Sequence, residues 1–225
     1  GRMQPAMFER VQDDELLAIQ DELQSQSYQP GAYHSFFIHD AKKRLISAAA
    51  FRDRVVHHAL CRVMEPIWEK RFIHDSYANR LGKGTHRALD RTQEFARQYQ
   101  YVLQCDVRQF FPSIDHAILM AEFSRRIKDE KFLQLCQTIL KSGEGVLADE
   151  YEMTYFEGDN LFSANRPRGL PIGNLTSQFW ANVYLNELDQ FMKRELKCKA
   201  YIRYVDDFVL FSNDKTQLAG WREQI

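Results

Sequence analysis

The sequence predicts a mixed α+β fold. Three features of its patterning carry that expectation: a first half dominated by helical apolar spacing, a short basic hairpin within that half, and a second half in which compact apolar runs end in acids. In chain order, Asp13 or Asp14 is placed to cap a helix with Leu16, Leu17 and Leu23 on one face, running to a loop over 25–31. Phe36-Phe37-Ile38 and Arg44-Leu45-Ile46 read as short strands around the polar turn 39–43, a hairpin carrying basic residues. From Phe51, the positions Val55, Ala59, Val63 and Ile67, beside Val56, Leu60 and Met64, repeat as a helix that Pro66 is expected to end or kink. Gly82 and Gly84 then interrupt the chain before Thr85, whose hydroxyl is placed to cap a helix through Ala88, Leu89, Thr92, Ala96 and Tyr99.

The second half begins with 101–107, an apolar run that suits a buried strand and contains Asp106. A carboxylate there is costly to desolvate unless a base, a hydrogen-bond donor or a metal ion pairs with it. Ser113 is expected to open a helix through Ile114, Ala117, Ile118 and Ala121. Residues 144–162, acidic and weakly patterned, read as a surface insertion. Trp180, Tyr184, Leu188 and Phe191 form a helical stripe that reads as core. Last come two β-type runs over 201–211 with Asp206-Asp207 at their junction. Tight hairpins favour Asn-Gly or Asp-Gly, so two adjacent acids are a poor choice on turn chemistry, and something positive is expected nearby.

Composition excludes several classes. The chain has 225 residues, 44% hydrophobic, 13% aromatic and 27% charged, which describes a folded protein and not a disordered one. No apolar run approaches the roughly 18 residues of a membrane span, so the expectation is a cytoplasmic protein with no membrane partner. Gly1-Arg2 ahead of Met3 reads as the scar of a cleaved tag. Cys61, Cys105, Cys136 and Cys198 lie far apart with no CxxC pair, so neither a zinc ribbon nor a disulfide framework is expected. Net charge is −1, yet residues 42–97 hold thirteen Lys and Arg against six acids, and 144–160 hold six acids and no Lys or Arg. One basic face is therefore available to phosphates.

If the strand of Asp106 lies beside the 201–211 hairpin, three carboxylates meet at one edge of a sheet. That is a hard-oxygen donor set suited to two magnesium ions and to phosphoryl transfer.

Tyr204-Val205-Asp206-Asp207 resembles the YxDD box of reverse transcriptases, and Asp106 with Phe110-Phe111 resembles the box that supplies the other metal ligand. Arg168-Gly169-Leu170-Pro171-Ile172-Gly173-Asn174-Leu175-Thr176-Ser177-Gln178 is similar to the loop and helix start that contact incoming nucleotide and template. Upstream, Lys42 and Arg44 resemble the residues that hold the triphosphate, and 75–84 resembles the family's Ser-Tyr-Ala-x-Arg-x-Gly-Lys-Gly segment near the template. The chain is thus identified as similar to bacterial reverse transcriptases of the group II intron and diversity-generating retroelement type.

The resemblance implies a right-hand polymerase: fingers over 1–100, mainly helical with an N-terminal helix, and a palm over 101–225, an antiparallel sheet backed by helices that includes the 168–178 loop. It implies an RNA-directed DNA polymerase that adds dNTPs to a DNA or RNA primer on an RNA template, with two Mg2+ ions for which Mn2+ can substitute. Asp106, Asp206 and Asp207 would be the catalytic metal ligands, helped by the Val107 carbonyl. Lys42, Arg44, Phe111, Ile172, Gly173 and Gln178 would contact the nucleotide, Phe111 as a steric gate against a ribose 2′-hydroxyl. Arg80, Lys83, Arg168 and Tyr204 would contact template and primer.

Two departures qualify this. Most relatives carry Gln where this chain has Ile172 and Ser-Pro where it has Ser177-Gln178, a pattern associated in the diversity-generating group with error-prone copying and also found in CRISPR-linked enzymes. The chain also stops eighteen residues after Asp207, before the primer grip and thumb of the family, so weak, salt-sensitive duplex binding and little processive synthesis are expected. A non-catalytic RNA-binding scaffold would tolerate Asp106→Asn, whereas a nuclease or RNA-templated RNA polymerase would keep the acids without needing Phe111. The reading leaves room for an accessory protein.

Overall fold

A computed structural model describes residues 3–39, 43–155, 159, 160, 162 and 165–225. In chain order the elements are α1 (Met3–Arg10), α2 (Gln12–Gln24), β1 (His34–His39), β2 (Lys43–Ala48), α3 (Phe51–Glu69), α4 (Thr85–Gln98) and β3 (Tyr101–Asp106). They continue with α5 (Phe110–Ser113), α6 (His116–Arg126), α7 (Glu130–Ser142), α8 (Leu175–Arg194), β4 (Tyr201–Tyr204), β5 (Asp207–Ser212) and α9 (Lys215–Gln224). The mixed fold expected from the sequence is present. Two compact units make it up, Gly1–Ile67 with Phe111–Trp180 and Trp68–Phe110 with Ala181–Ile225. No helix among the described residues is long and apolar enough to cross a membrane.

In the first unit β1 and β2 form the expected hairpin, paired from His34↔Ala48 to His39↔Lys43. β1 is exposed along its length, with the Lys43 ammonium 4.0 Å from the centre of the Phe37 ring. The hairpin is held at its base by Asn174. The side-chain oxygen accepts from the Ala49 amide at 2.9 Å, while Nδ2 donates to the Ser47 carbonyl at 2.8 Å and to the Pro171 carbonyl at 2.9 Å. The Ser47 amide in turn donates to the Ile172 carbonyl at 2.8 Å. Gly173, at φ 112, lies so close to β2 that a Cβ would sit 2.8 Å from Ile46 Cγ2.

Several local expectations change. α2 starts at Gln12 behind Val11, so Asp13 and Asp14 lie inside its first turn, where they favour the helix dipole without capping it. Its buried residue is Ile19, whereas Leu16 and Leu17 are 38% and 59% exposed. α3 runs through Pro66 to Glu69: the proline forfeits one amide bond in the last turn, and the buried face of Val56, Leu60, Cys61 and Met64 outweighs that loss. α2 and α3 are tied by Arg52 to Glu15 at 3.2 Å and to Glu22 at 2.7 Å. Buried Asp53 accepts from Tyr28 Oη at 2.7 Å and the Gly31 amide at 2.9 Å. The helix expected from Ser113 begins at His116 instead, because Asp115 caps it, accepting from the Ala117 and Ile118 amides at 2.8 and 3.1 Å. Phe123 of α6 packs against Trp180, ring centres 5.3 Å apart.

The second unit is built on a sheet of order β3-β5-β4, antiparallel throughout. On one face Tyr201, Phe208 and Leu210 pack with Met192 and Leu196 of and after α8 and with Leu218 and Trp221 of α9. On the other, Ile202 and Phe211 pack with Tyr77, Ala88 and Phe95, the last two from α4. Both faces of β4 and β5 therefore carry packed core residues. β3 is not the buried strand its apolar run suggested: it is an edge, with Val102 58% exposed and only Leu103 and Cys105 turned to the core. α4 is preceded by Gly84 at φ 107, and the Thr85 hydroxyl, expected as its cap, lies 2.9 Å from Tyr204 Oη. All four cysteines are free, and burial pushes the Cys61 and Cys136 thiols up to about 12.

Two consequences are measurable. Gly173→Ala puts a side chain at positive φ and against Ile46, so urea unfolding should show a loss of about 1–3 kcal/mol; unchanged stability contradicts the docking of the loop on β2. His57 is 1% exposed, and its Nε2 has no partner among the described residues. Burial pushes its pKa down from 6.5 to about 4 against a smaller opposing pull from Asp53. Between those values the unfolded chain binds a proton that the folded chain refuses. Stability from this group is complete above pH 6.5 and falls on acidification towards pH 4, by on the order of 3 kcal/mol. His57→Phe should flatten that acid limb in pH-dependent unfolding, and a limb identical to the parent's contradicts the assignment.

Candidate metal centre and nucleotide loop

The register of β3 on β5 places Asp106 directly opposite Asp207, on the same face of the sheet. β4 pairs with β5 so that Tyr204 is opposite Asp207, which leaves Val205 and Asp206 as the two turn residues. The acid pair is therefore split: Asp206 is in the turn, Asp207 in the strand. Carboxylate oxygens of Asp106, Asp206 and Asp207 all lie within 4.8 Å of one another, with Asp106 and Asp207 exposed and Asp206 half-buried. Three hard anionic donors at one point, open to solvent, fit a divalent cation.

The turn has an unusual backbone. Val205 adopts φ 56 and Asp206 does not share the positive sign, a pattern that normally calls for glycine at the first turn position. The cationic side chain next to the turn, Arg203, does not face the acids. It is 1% exposed and pairs with fully buried Asp189, Nε to Oδ1 at 2.8 Å and Nη2 to Oδ2 at 2.7 Å. Its Nη1 donates to Asn182 Oδ1 at 2.9 Å and to the Val205 carbonyl at 3.0 Å. Burial works against the charged guanidinium, yet Asp189 outweighs it and raises the pKa. Tyr201 Oη donates to Asp189 Oδ1 at 2.8 Å. Sequence reasoning passed over Arg203 and Asp189; the signals were an arginine inside the apolar run 201–205 and an acid at helical spacing between Leu185 and Met192, and a buried charge demands a partner.

The segment after α3 runs along the outer edge of β4. The Arg203 amide donates to the Asp75 carbonyl at 2.9 Å, and the Tyr77 amide to the Arg203 carbonyl at 3.0 Å. Arg80 is committed here: it donates to Glu69 at 2.8 Å and, through Nη1, to the Ile73 and Ser76 carbonyls at 2.7 and 2.9 Å, with 6% of its side chain exposed. Lys83 donates to the His74 carbonyl at 2.7 Å and lies 5.1 Å from the Tyr77 ring centre. Tyr204 is exposed, and Val107 is half-buried against the β-sheet core.

The other expected nucleotide residues belong to the first unit. Arg44 is exposed on β2, and Lys42 lies outside the described residues. Residues 111–116 and 167–170 zip together: the Leu170 amide donates to the Phe111 carbonyl at 2.9 Å, Gly169 to Ile114 at 2.8 Å and His116 to Pro167 at 3.0 Å. The His116 ring adds a 2.8 Å bond between Nε2 and the Gly169 carbonyl. This fixes the half-buried Phe111 alongside the start of the loop. Arg168 sits over Tyr151 at 4.6 Å, Ile172 and Gln178 are half-buried, and Gly173 is exposed. Asn174, read in the sequence only as part of the 168–178 motif, joins this loop to the hairpin.

Comparison with known proteins agrees with this geometry. A family model described as reverse transcriptase (RNA-dependent DNA polymerase) matches residues 38–225. Protein YkfC of Escherichia coli K12 is 30% identical over 93% of this chain and 62% of its own length. Group II intron-encoded protein LtrA of Lactococcus lactis subsp. cremoris is 28% identical over 83% of this chain and 29% of its own. The chain thus spans less than two thirds of either relative. An apo telomerase from Candida tropicalis shares the fold, with a TM-score of 0.56 at 12% identity over 86% of this chain and 46% of that one. A family match over residues 38–225, together with the register of its acids, settles the family: the chain belongs to the reverse transcriptases.

Proposed function

We propose that this chain is the fingers (1–100) and palm (101–225) of an RNA-directed DNA polymerase that adds dNTPs to a primer 3′-hydroxyl on an RNA template. The observation that carries the reading is the convergence of Asp106, Asp206 and Asp207 within 4.8 Å at the edge of the sheet. Asp106, Asp206 and Asp207, with the Val107 carbonyl as a further donor, would hold two magnesium ions. Bound ions supply a lowered pKa for the attacking hydroxyl and charge neutralisation at the leaving pyrophosphate.

The remaining roles fall to the chain's own groups. Lys42 and Arg44 neutralise the triphosphate, Arg as a fork and Lys as a point charge. Phe111, held through its own carbonyl by Leu170, fills the space a ribose 2′-hydroxyl needs. Gly173 lets backbone approach the nucleotide, with Ile172 beside it and Gln178 in the first turn of α8 as further contacts. Lys83, Arg168 and Tyr204 lie along the template and primer, and Arg80 shapes the 75–84 segment through its internal bonds. The RNA template, the primer and any accessory protein are the partners of this reading.

Primer extension by the full-length protein on an RNA template, with Mg2+ and dNTPs, tests it. Asp206→Asn should lower the rate at least about a hundredfold, since a catalytic metal supplies several kcal/mol; extension at the parental rate overturns the assignment. Phe111→Ala should raise ribonucleotide incorporation relative to deoxyribonucleotide at least about tenfold. An unchanged ratio removes Phe111 as the gate.

A further inference from the structure

We propose that Arg203 is a positioning residue of the metal centre, acting through the backbone of Val205 to fix where Asp206 is presented. The inference rests on the metal reading above and adds a residue to it. Arg203 is no phosphate ligand: it is 1% exposed, and each of its three guanidinium nitrogens already donates within the fold, to Asp189, Asn182 or the Val205 carbonyl. It is no ordinary core salt bridge either, because Nη1 is shared between Asn182 on α8 and the carbonyl of the turn, at 2.9 and 3.0 Å.

The anchoring side is rigid. Asp189 is fully buried and also receives Tyr201 Oη at 2.8 Å. Asn182 Nδ2 donates to the Ala78 carbonyl at 2.8 Å, which orients its oxygen towards Arg203. The Arg203 backbone is itself bonded on both sides, to Asp75 and Tyr77. The anchored side is strained: Val205 is β-branched and sits at φ 56 as the first of two turn residues. Such a conformation persists only where its surroundings impose it. A planar fork imposes it here, meeting the Asp189 carboxylate with two donors while a third reaches the Val205 carbonyl. The ammonium of a lysine lacks that geometry. If the Val205 peptide relaxes, the next residue along, Asp206, moves with it, while Asp106 and Asp207 stay fixed by strand pairing.

The test compares isotope-labelled parent, Arg203→Lys, Tyr201→Phe and Asp206→Asn in the full chain. NMR shifts of Val205 and Asp206 Cα and Cβ report the turn, and electron paramagnetic resonance titration reports Mn2+ affinity. Arg203→Lys should move the Val205 shifts out of the left-handed range and weaken Mn2+ about tenfold or more, as loss of a ligand-orienting group does. Tyr201→Phe removes another bond to the same carboxylate, so it should lower the unfolding temperature and leave both readouts parental. Unchanged Val205 shifts in Arg203→Lys, or equal changes in Tyr201→Phe, overturn the proposal. If Arg203→Lys does not fold, Asp189→Asn, which keeps the side-chain shape and loosens the guanidinium, is scored by the same criteria. Asp206→Asn separates the two levels: parental Mn2+ binding there contradicts the metal reading, and the Val205 shifts alone then decide the role of Arg203.

Discussion

β3 and β5 pair with Asp106 opposite Asp207, and that register forces two carboxylates onto one face of the sheet at its open end. A slip of one residue would send Asp106 to the opposite face, among Leu103 and Cys105 on the side of the Tyr201 and Phe208 core. The register is held by apolar pairs further along, Leu103 against Leu210 and Cys105 against Phe208, and by the packing of Phe208 and Leu210 under α8 and α9. Like charges brought within 4.8 Å repel by roughly 1 kcal/mol per pair even in water-like surroundings. The fold bears that repulsion, and a bound cation reverses its sign.

Polar groups then fix what apolar packing cannot. In the second unit a buried carboxylate, a buried guanidinium and an oriented amide, Asp189, Arg203 and Asn182, tie helix α8 to the turn that carries Asp206. In the first, Asn174 ties the β1–β2 hairpin to the 171–173 loop with three bonds. Each network is satisfied by side chains whose positions are set by secondary structure, so each carries a defined geometry at low exposure. Loops that hold functional residues are thus shaped by bonds from rigid elements, as the zipper between 111–116 and 167–170 also illustrates.

Much of this was legible in the sequence, for definite reasons. The hairpin over 34–48, the acid convergence and the mixed class follow from short, compact apolar runs and from acids placed where a strand makes them costly. What escaped was the part that depends on tertiary partners. The caps expected at Asp13 or Asp14 and at Thr85, and the helix start expected at Ser113, failed because another residue, Val11, Gly84 or Asp115, took the boundary instead. The burial of β3 was misjudged because an apolar run cannot say whether a strand is central or at an edge. Arg80, read as a template contact, spends its donors on its own segment, which only the folded path of residues 69–76 shows.

The central claim is that Asp106, Asp206 and Asp207 form one divalent-cation site. Anomalous diffraction at the manganese absorption edge from crystals of the protein soaked in Mn2+ tests it most directly. The account predicts a peak within coordinating distance of the Asp106 and Asp206 carboxylates; well-ordered carboxylates with no peak beside them, or manganese found only elsewhere on the chain, would contradict it.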